Sequence, residues 1–253
     1  KYAKFFSAAG ITFQVNSDYS IARKTFHAKF EQFEVKGPGV DNIIIEQHFS
    51  VPAAVQDDLV KDNEIFHQNQ WTIYRTSDSW LYRYKPMIPN DPGHDAIAVF
   101  NTHYDRVKIY TEAISKTDYE TAAFQALTFF NTDQVLFAKP LCDRNGLILH
   151  SNGFSIDGKG ILLAGESGAG KSTLSNMLMK KGLEGLCDDR MFITRKGASF
   201  WIHGNWCHGT VSTVSNTSAP LKAIFFLQQS KDNCSEPIDN KKIKVHKLMQ
   251  SMV

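Results

Sequence analysis

Long apolar runs are what this sequence most plainly lacks. No stretch approaches the roughly 18 residues that a membrane-spanning helix requires, and no secretory signal pattern opens the chain, which starts at Lys1 without a methionine. A preponderance of one charge sign is missing too. The 28 basic residues face 26 acidic ones, a formal charge of +2, so neither nucleic acid nor a membrane surface is expected as a partner. Cysteine is scarce. The four present, Cys142, Cys187, Cys207 and Cys234, form no Cys-x-x-Cys pair and no regular framework, which argues against a disulfide-stapled fold and favours a reducing cytoplasm. No internal repeat is visible. What remains is 253 residues of ordinary composition, enough for one large domain or two modest ones with a real core.

Against that background stands "GESGAGKST", the run Gly165, Glu166, Ser167, Gly168, Ala169, Gly170, Lys171, Ser172 and Thr173. It fits G-x-x-x-x-G-K-[ST], the phosphate-binding loop whose backbone N–H groups wrap the phosphates of a nucleotide. Ile161, Leu162, Leu163 and Ala164 before it form a short apolar run of the kind found in buried strands, and Leu174, Met177 and Leu178 after it follow at helical spacing. A helix starting near Lys171 aims unpaired N–H groups and a partial positive charge at whatever anion the loop encloses. Glycine lets the backbone come close.

The rest of the chain divides in two. Residues 1–145 read as a β-rich region: "WTIYRT" and "WLYRYK" flank a turn, as do "AIAVF" and "VKIYTE", both consistent with hairpins. The stretch "DYETAAFQALTFFN" is predicted to be a helix capped by Asp118 or Thr117, with an apolar face of Ala122, Phe124, Leu127 and Phe130. From residue 146 the pattern changes. "LILHSNGFSI" and "ILLA" joined at "DGKG" predict a hairpin leading into the loop, and "RKGA" marks another, so the sheet should be mixed. "HGNWCH" brings His203, Cys207 and His208 close in sequence but offers no fourth zinc ligand, so packing and hydrogen bonding are expected there. The basic run "KKIKVHK" is read as a solvated face.

Asp188 and Asp189 lie 17 and 18 residues after Lys171, room for one helix, a turn and a short strand returning beside the loop. Phosphoryl transfer uses Mg²⁺ across the β- and γ-oxygens, a carboxylate to help hold it, and often a second carboxylate to accept the proton of an attacking hydroxyl. Two adjacent acids can divide those tasks. The stretch from Leu149 to Arg190 resembles the catalytic core of HPr kinase/phosphorylase and its smaller relatives, which share a phosphoenolpyruvate-carboxykinase-like fold. That resemblance rests on His150 standing 15 residues ahead of Gly165, on the loop itself, and on the Asp188-Asp189 pair. The Arg-Gly-Leu-Gly-rich segment that marks true HPr kinases is not found, so the resemblance does not extend to HPr as substrate or to phosphorylase activity.

The expected fold is therefore α/β: a mixed-sheet P-loop core of the HPr kinase and PEP carboxykinase-like type over residues 146–253, preceded by the β-rich region. The resemblance implies ATP and Mg²⁺ on residues 165–173, with Lys171 neutralising phosphate charge and Ser172 and Asp189 holding the metal. Asp188 would act as general base, and His150 would orient Asp188 or the γ-phosphate. Arg190 and His208 are further candidates for phosphate or acceptor contacts. The expected activity is transfer of the γ-phosphate to a hydroxyl of a protein, a peptide or a small molecule, and a homo-oligomer is compatible with it. Two alternatives stand beside this reading: a carboxykinase-like enzyme acting on a carboxylic acid, and a nucleotide-binding regulatory module without turnover.

Overall fold

The computed structural model describes residues 3–209, 213–232 and 234–253. The chain forms two compact units, Lys1–Leu136 and Phe137–Val253. In the first, β1 (Ala3–Ala8), β2 (Ile11–Ser17), β3 (Glu34–Val35), β4 (Asn42–His48), β5 (Glu64–Gln68), β6 (Trp71–Arg75), β7 (Ser79–Tyr84), β8 (Ala96–Asn101) and β9 (Arg106–Tyr110) make one sheet. Its order is β3-β1-β2-β4-β9-β8-β7-β6-β5. β4 runs parallel to both β2 and β9, and the other neighbours are antiparallel. The β6–β7 and β8–β9 pairs are the two hairpins that aromatic and β-branched alternation predicts. Among the described residues the helices beside this sheet are short: α1 (Ala53–Asp58), α2 (Lys116–Thr121) and 3-10 turns at Ala28–Phe33 and Lys61–Asn63.

The helix expected over "DYETAAFQALTFFN" is largely absent. α2 is capped by Ser115, whose hydroxyl accepts from the Asp118 N–H, and it stops at Thr121. Ala123 and Phe129 are left-handed, with φ of 53° and 63°, which no continuing helix permits. The physical reason lies in burial. Ala126, Leu127, Thr128, Phe129 and Phe130 are all buried in succession, and an amphipathic surface helix cannot bury consecutive residues. The backbone is satisfied otherwise. Ala123 and Phe124 donate to the carbonyls of Lys24 and Thr25, and the Asp133 carboxylate accepts the N–H groups of Leu127 and Thr128 at 2.7 and 2.9 Å.

α3 (Gln134–Asp143) spans the boundary between the units, and the second unit continues with β10 (Gly146–Ile156), β11 (Lys159–Ala164), α4 (Lys171–Lys180), β12 (Glu184–Cys187), β13 (Arg190–Lys196), β14 (Ser199–His203), β15 (Ser218–Phe226) and α5 (Lys241–Gln250). The sheet order is β11-β15-β14-β13-β10-β12, and β11 also pairs with β10, so five of the strands close into a ring. β10 makes this possible by serving two partners in turn. Gly146–His150 lie along β13 and Ser151–Ile156 along β11. β11 and β15 are parallel while the remaining pairs are antiparallel: the sheet is mixed, as the hairpin-fed loop strand requires. The β10–β11 turn is Asp157-Gly158, both at positive φ, the backbone that twists in step with the two strands.

Leu149, Leu162, Ala164, Leu186, Met191, Ile193 and Ile202 fill the centre of this unit. Phe137 packs on Phe192 and Trp206, with ring centroids 4.4 and 5.0 Å apart. α5 buries no residue, in line with a solvated basic face. Among the described residues no helix is long and apolar enough to cross a membrane.

Candidate functional site

β11 ends at Ala164, and the chain then turns through Gly165, Gly168 and Gly170 at φ of 153°, 82° and 97°. Only glycine adopts such a series without strain. Gly170 is the residue that opens α4, and no side chain caps the helix. Its first N–H groups are thus left to the solvent side of the loop, where an anion would complete them.

Lys171, the first residue of α4, is buried to 8 % exposure. Its ammonium turns back to donate to the carbonyls of Gly165 and Glu166 at 2.8 and 3.2 Å. Burial pushes its pKa below the ordinary lysine value, and the nearby Asp189 carboxylate partly restores it. Ser175, one turn further on, is also buried and accepts from Asn152 Nδ2 at 2.6 Å. Met177 is exposed, so the helix seats itself on a face that begins with Lys171 rather than on the apolar spacing alone.

After α4 a left-handed Gly182 turns the chain into β12, and Asp188 and Asp189 follow that strand directly. Asp188 is 3 % exposed and accepts from the Gly209 N–H at 3.2 Å. Asp189 sits at φ 78°, a conformation Asp tolerates better than most residues. Its N–H donates to Asn152 Oδ1 at 3.3 Å. Its carboxylate engages His150 Nε2 at 3.1 Å and the Arg190 guanidinium. Burial and the Lys171 charge push the His150 pKa below its ordinary value, while Asp189 pulls it back. His150 therefore pairs with Asp189 rather than with Asp188.

These groups surround one cavity of about 430 Å³. Its walls are His150 and Asn152 from β10, Ser167, Gly168 and Gly170 from the loop, Lys171, Ser172 and Thr173 from α4, the two aspartates, and Gly209. Gly165, Glu166 and Ala169 stand off the wall. The first two still act there through the carbonyls that hold Lys171. Arg190 and His208 do not line the cavity. Arg190 lies against Asp189, and His208 Nδ1 is 2.9 Å from the Gly209 carbonyl.

Asn152 and Gly209 are the wall residues that the sequence reading missed, and Ser175, behind the wall, holds Asn152. Asn152 was open to inference, since it lies two residues from His150 and strand alternation puts both on one face. Gly209 has no sequence signal, yet nothing larger fits. An added Cβ would stand 2.6 Å from Asp189 Cβ.

In "HGNWCH", His203 is buried on β14 with Nε2 2.8 Å from Thr194 Oγ1 and Nδ1 2.7 Å from Ser218 Oγ. Asn205, fully buried, donates to the Arg190 carbonyl and accepts from the Cys207 N–H, both at 2.8 Å. It fixes the strand that leaves the aspartate pair.

The family model described as SynChlorMet cassette protein ScmC matches residues 121–253. No curated protein matches the sequence. Among solved structures, the Hpr(Ser) kinase/phosphatase from Coxiella burnetii is similar at 21% identity, covering 36% of this chain and 70% of that one, with a TM-score of 0.28. That superposition is too loose to bear on the fold or the chemistry.

Proposed function

The chain belongs to the family of SynChlorMet cassette protein ScmC, and we propose that it is an ATP-dependent phosphotransferase that moves a γ-phosphate onto a hydroxyl of a protein, a peptide or a small molecule. The observation that carries this reading is the shared cavity: an uncapped helix start and the Lys171 ammonium on one wall, a buried Asp188 carboxylate on another. Triphosphate oxygens are stronger acceptors than the neutral carbonyls of Gly165 and Glu166, so they would draw the Lys171 ammonium toward themselves. The α4 N–H groups add further donors at no cost in rearrangement.

Ser172 and Asp189 would hold Mg²⁺. The donor set fits that ion, which takes one or two protein oxygens and leaves its other positions to phosphate and water. When bound, ATP and Mg²⁺ supply the transferable phosphoryl group and neutralise the charge that builds on it. Asp188 then does the protein's own chemistry: its carboxylate, oriented by the Gly209 N–H, accepts the proton of the acceptor hydroxyl as that oxygen attacks. His150 buttresses Asp189 at the carboxylate oxygen opposite the one that Arg190 meets. None of the four cysteines is in a disulfide among the described residues, which suits a reducing cytoplasm where ATP is abundant.

The test is label transfer. The chain is incubated with γ-labelled ATP and Mg²⁺, alone and with extract of its source cells, beside the Lys171→Ala variant. Label should pass to an acid-stable phosphoester in the extract and should not do so with the variant. Equal labelling by both, or no ATP consumption in any condition, rejects the proposal.

A further inference from the structure

We propose that the N-terminal unit carries a second, separate binding site, one for a free α-amino acid with an apolar side chain. The site is a cavity of about 510 Å³, within the range of pockets that enclose small ligands. Register and pleat build it. Arg83 on β7 lies opposite Ile97 on β8, which lies opposite Tyr110 on β9, so the three side chains share one face of the sheet. Asp95 precedes Ile97 by two residues and Glu112 follows Tyr110 by two, which carries both carboxylates to that same face just past the strand ends. The Thr111 hydroxyl donates to the Asp95 carbonyl at 2.7 Å and ties those ends together. The segment that includes α1 supplies the opposing wall, with Gln56 and Leu59 on the cavity and the Val51 N–H bonded to Glu112 Oε1 at 3.3 Å.

The charges in this cavity are incompletely matched. Arg83 Nη2 reaches Asp95 Oδ2 only at 3.5 Å, and Arg83 Nε is buried with no partner among the described residues. The Arg83 side chain as a whole is 35 % exposed and lines the cavity, so its outer N–H groups are within reach of a ligand there, and a carboxylate is the group whose two oxygens fit a guanidinium edge. One cation faces two carboxylates here. A phosphate dianion would be repelled by Asp95 and Glu112, whereas an ammonium is drawn to them. A ligand that carries both a carboxylate and an ammonium on one carbon satisfies the whole set. Leu59, Ile97 and the Tyr110 ring, the latter two at 5 % and 8 % exposure, leave an apolar space for its side chain.

Calorimetric titration of the full chain with L-leucine, L-methionine, L-phenylalanine and L-tryptophan tests the assignment. At least one should bind once per chain, and its N-acetyl and carboxamide derivatives should bind about ten-fold more weakly or worse, as loss of a charged hydrogen bond implies. Arg83→Lys and Asp95→Asn should each weaken it by about the same factor. Glu112→Gln, at an exposed position where the amide oxygen can still accept from the Val51 N–H, keeps the test open if either of those variants fails to fold. Absence of binding by all four amino acids overturns the proposal. So does equal binding of the blocked derivatives, or unchanged binding by the folded variants.

Discussion

His203 should make this protein sensitive to acid in a way that can be calculated. Its imidazole is 3 % exposed and lies between Thr194 and Ser218, each ready to pair with a neutral ring. Burial, with a smaller contribution from Lys196, pushes its pKa from the ordinary 6.5 down to about 4. The unfolded chain therefore binds this proton below pH 6.5 while the folded chain refuses it until about pH 4, so stability is intact at neutral pH and falls as pH falls through that window. A depression of that size amounts to about 3 kcal/mol once the window is crossed, of which about 2 kcal/mol is lost between roughly pH 7 and pH 5. Other depressed histidines add to the total, so the measurement is a difference. Urea unfolding of the native chain and of His203→Gln is followed at both pH values. The variant should be weaker at neutral pH, since it loses a buried pair of hydrogen bonds, but its stability should decline by about 2 kcal/mol less on acidification. Equal declines in the two proteins would refute the reasoning, and would mean that His203 charges inside the fold.

Lys171→Ala should abolish both the thermal shift produced by ATP·Mg²⁺ and any turnover, because it removes the fixed cation of the cavity and the two contacts that brace the loop. An unchanged shift counts against nucleotide binding there. Asp188→Asn should lower turnover by about 10²- to 10⁴-fold with little change in metal requirement, whereas Asp189→Asn should raise the Mg²⁺ concentration needed for half-maximal rate. Initial rates against Mg²⁺ decide it, and identical responses mean that the two carboxylates act together on the ion. Gly209→Ala should press a methyl within 2.6 Å of Asp189 Cβ and 3.2 Å of Asp188 Oδ2, costing about 1–3 kcal/mol of local strain. Turnover should fall while the ATP thermal shift is kept, and normal turnover would remove the close approach from the account.

Legibility in the sequence followed the range of the forces involved. Asp157-Gly158 announces its hairpin because the left-handed turn is a property of two adjacent residues. The helix, turn and strand that separate Lys171 from Asp188 were readable for the same reason, being α4, Gly182 and β12 in succession. Where tertiary partners decide the backbone, local signals failed. Residues after Thr121 have helical spacing, but the carbonyls of Lys24 and Thr25 and the carboxylate of Asp133 offer their N–H groups better partners. α3 has no counterpart in the sequence analysis, and Pro140 lies inside it. Proline in a helix interior removes the N–H that the carbonyl four residues earlier would accept and normally argues against a helix; the last turn of this one is held by Arg144 donating to the Pro140 carbonyl at 2.7 Å. On the cavity wall, the loop and the aspartates form continuous motifs. Asn152 follows from His150 by strand alternation, whereas Gly209 arrives from a segment whose proximity only the folded chain reveals.

The ring made by β10, β11, β13, β14 and β15 has no end from which to fray. Pulling any of these strands out breaks two ladders at once, and even β12, which hangs on β10 alone, is bridged on its far side by Val214 at Cys187. The nine-stranded sheet is different. β5 is paired on one side only, and four of its five residues are exposed. Native-state hydrogen exchange should separate the two behaviours: amides of the ring share one opening free energy, because they are released together or not at all, while protection in the open sheet climbs strand by strand from β5 through β6 to β7.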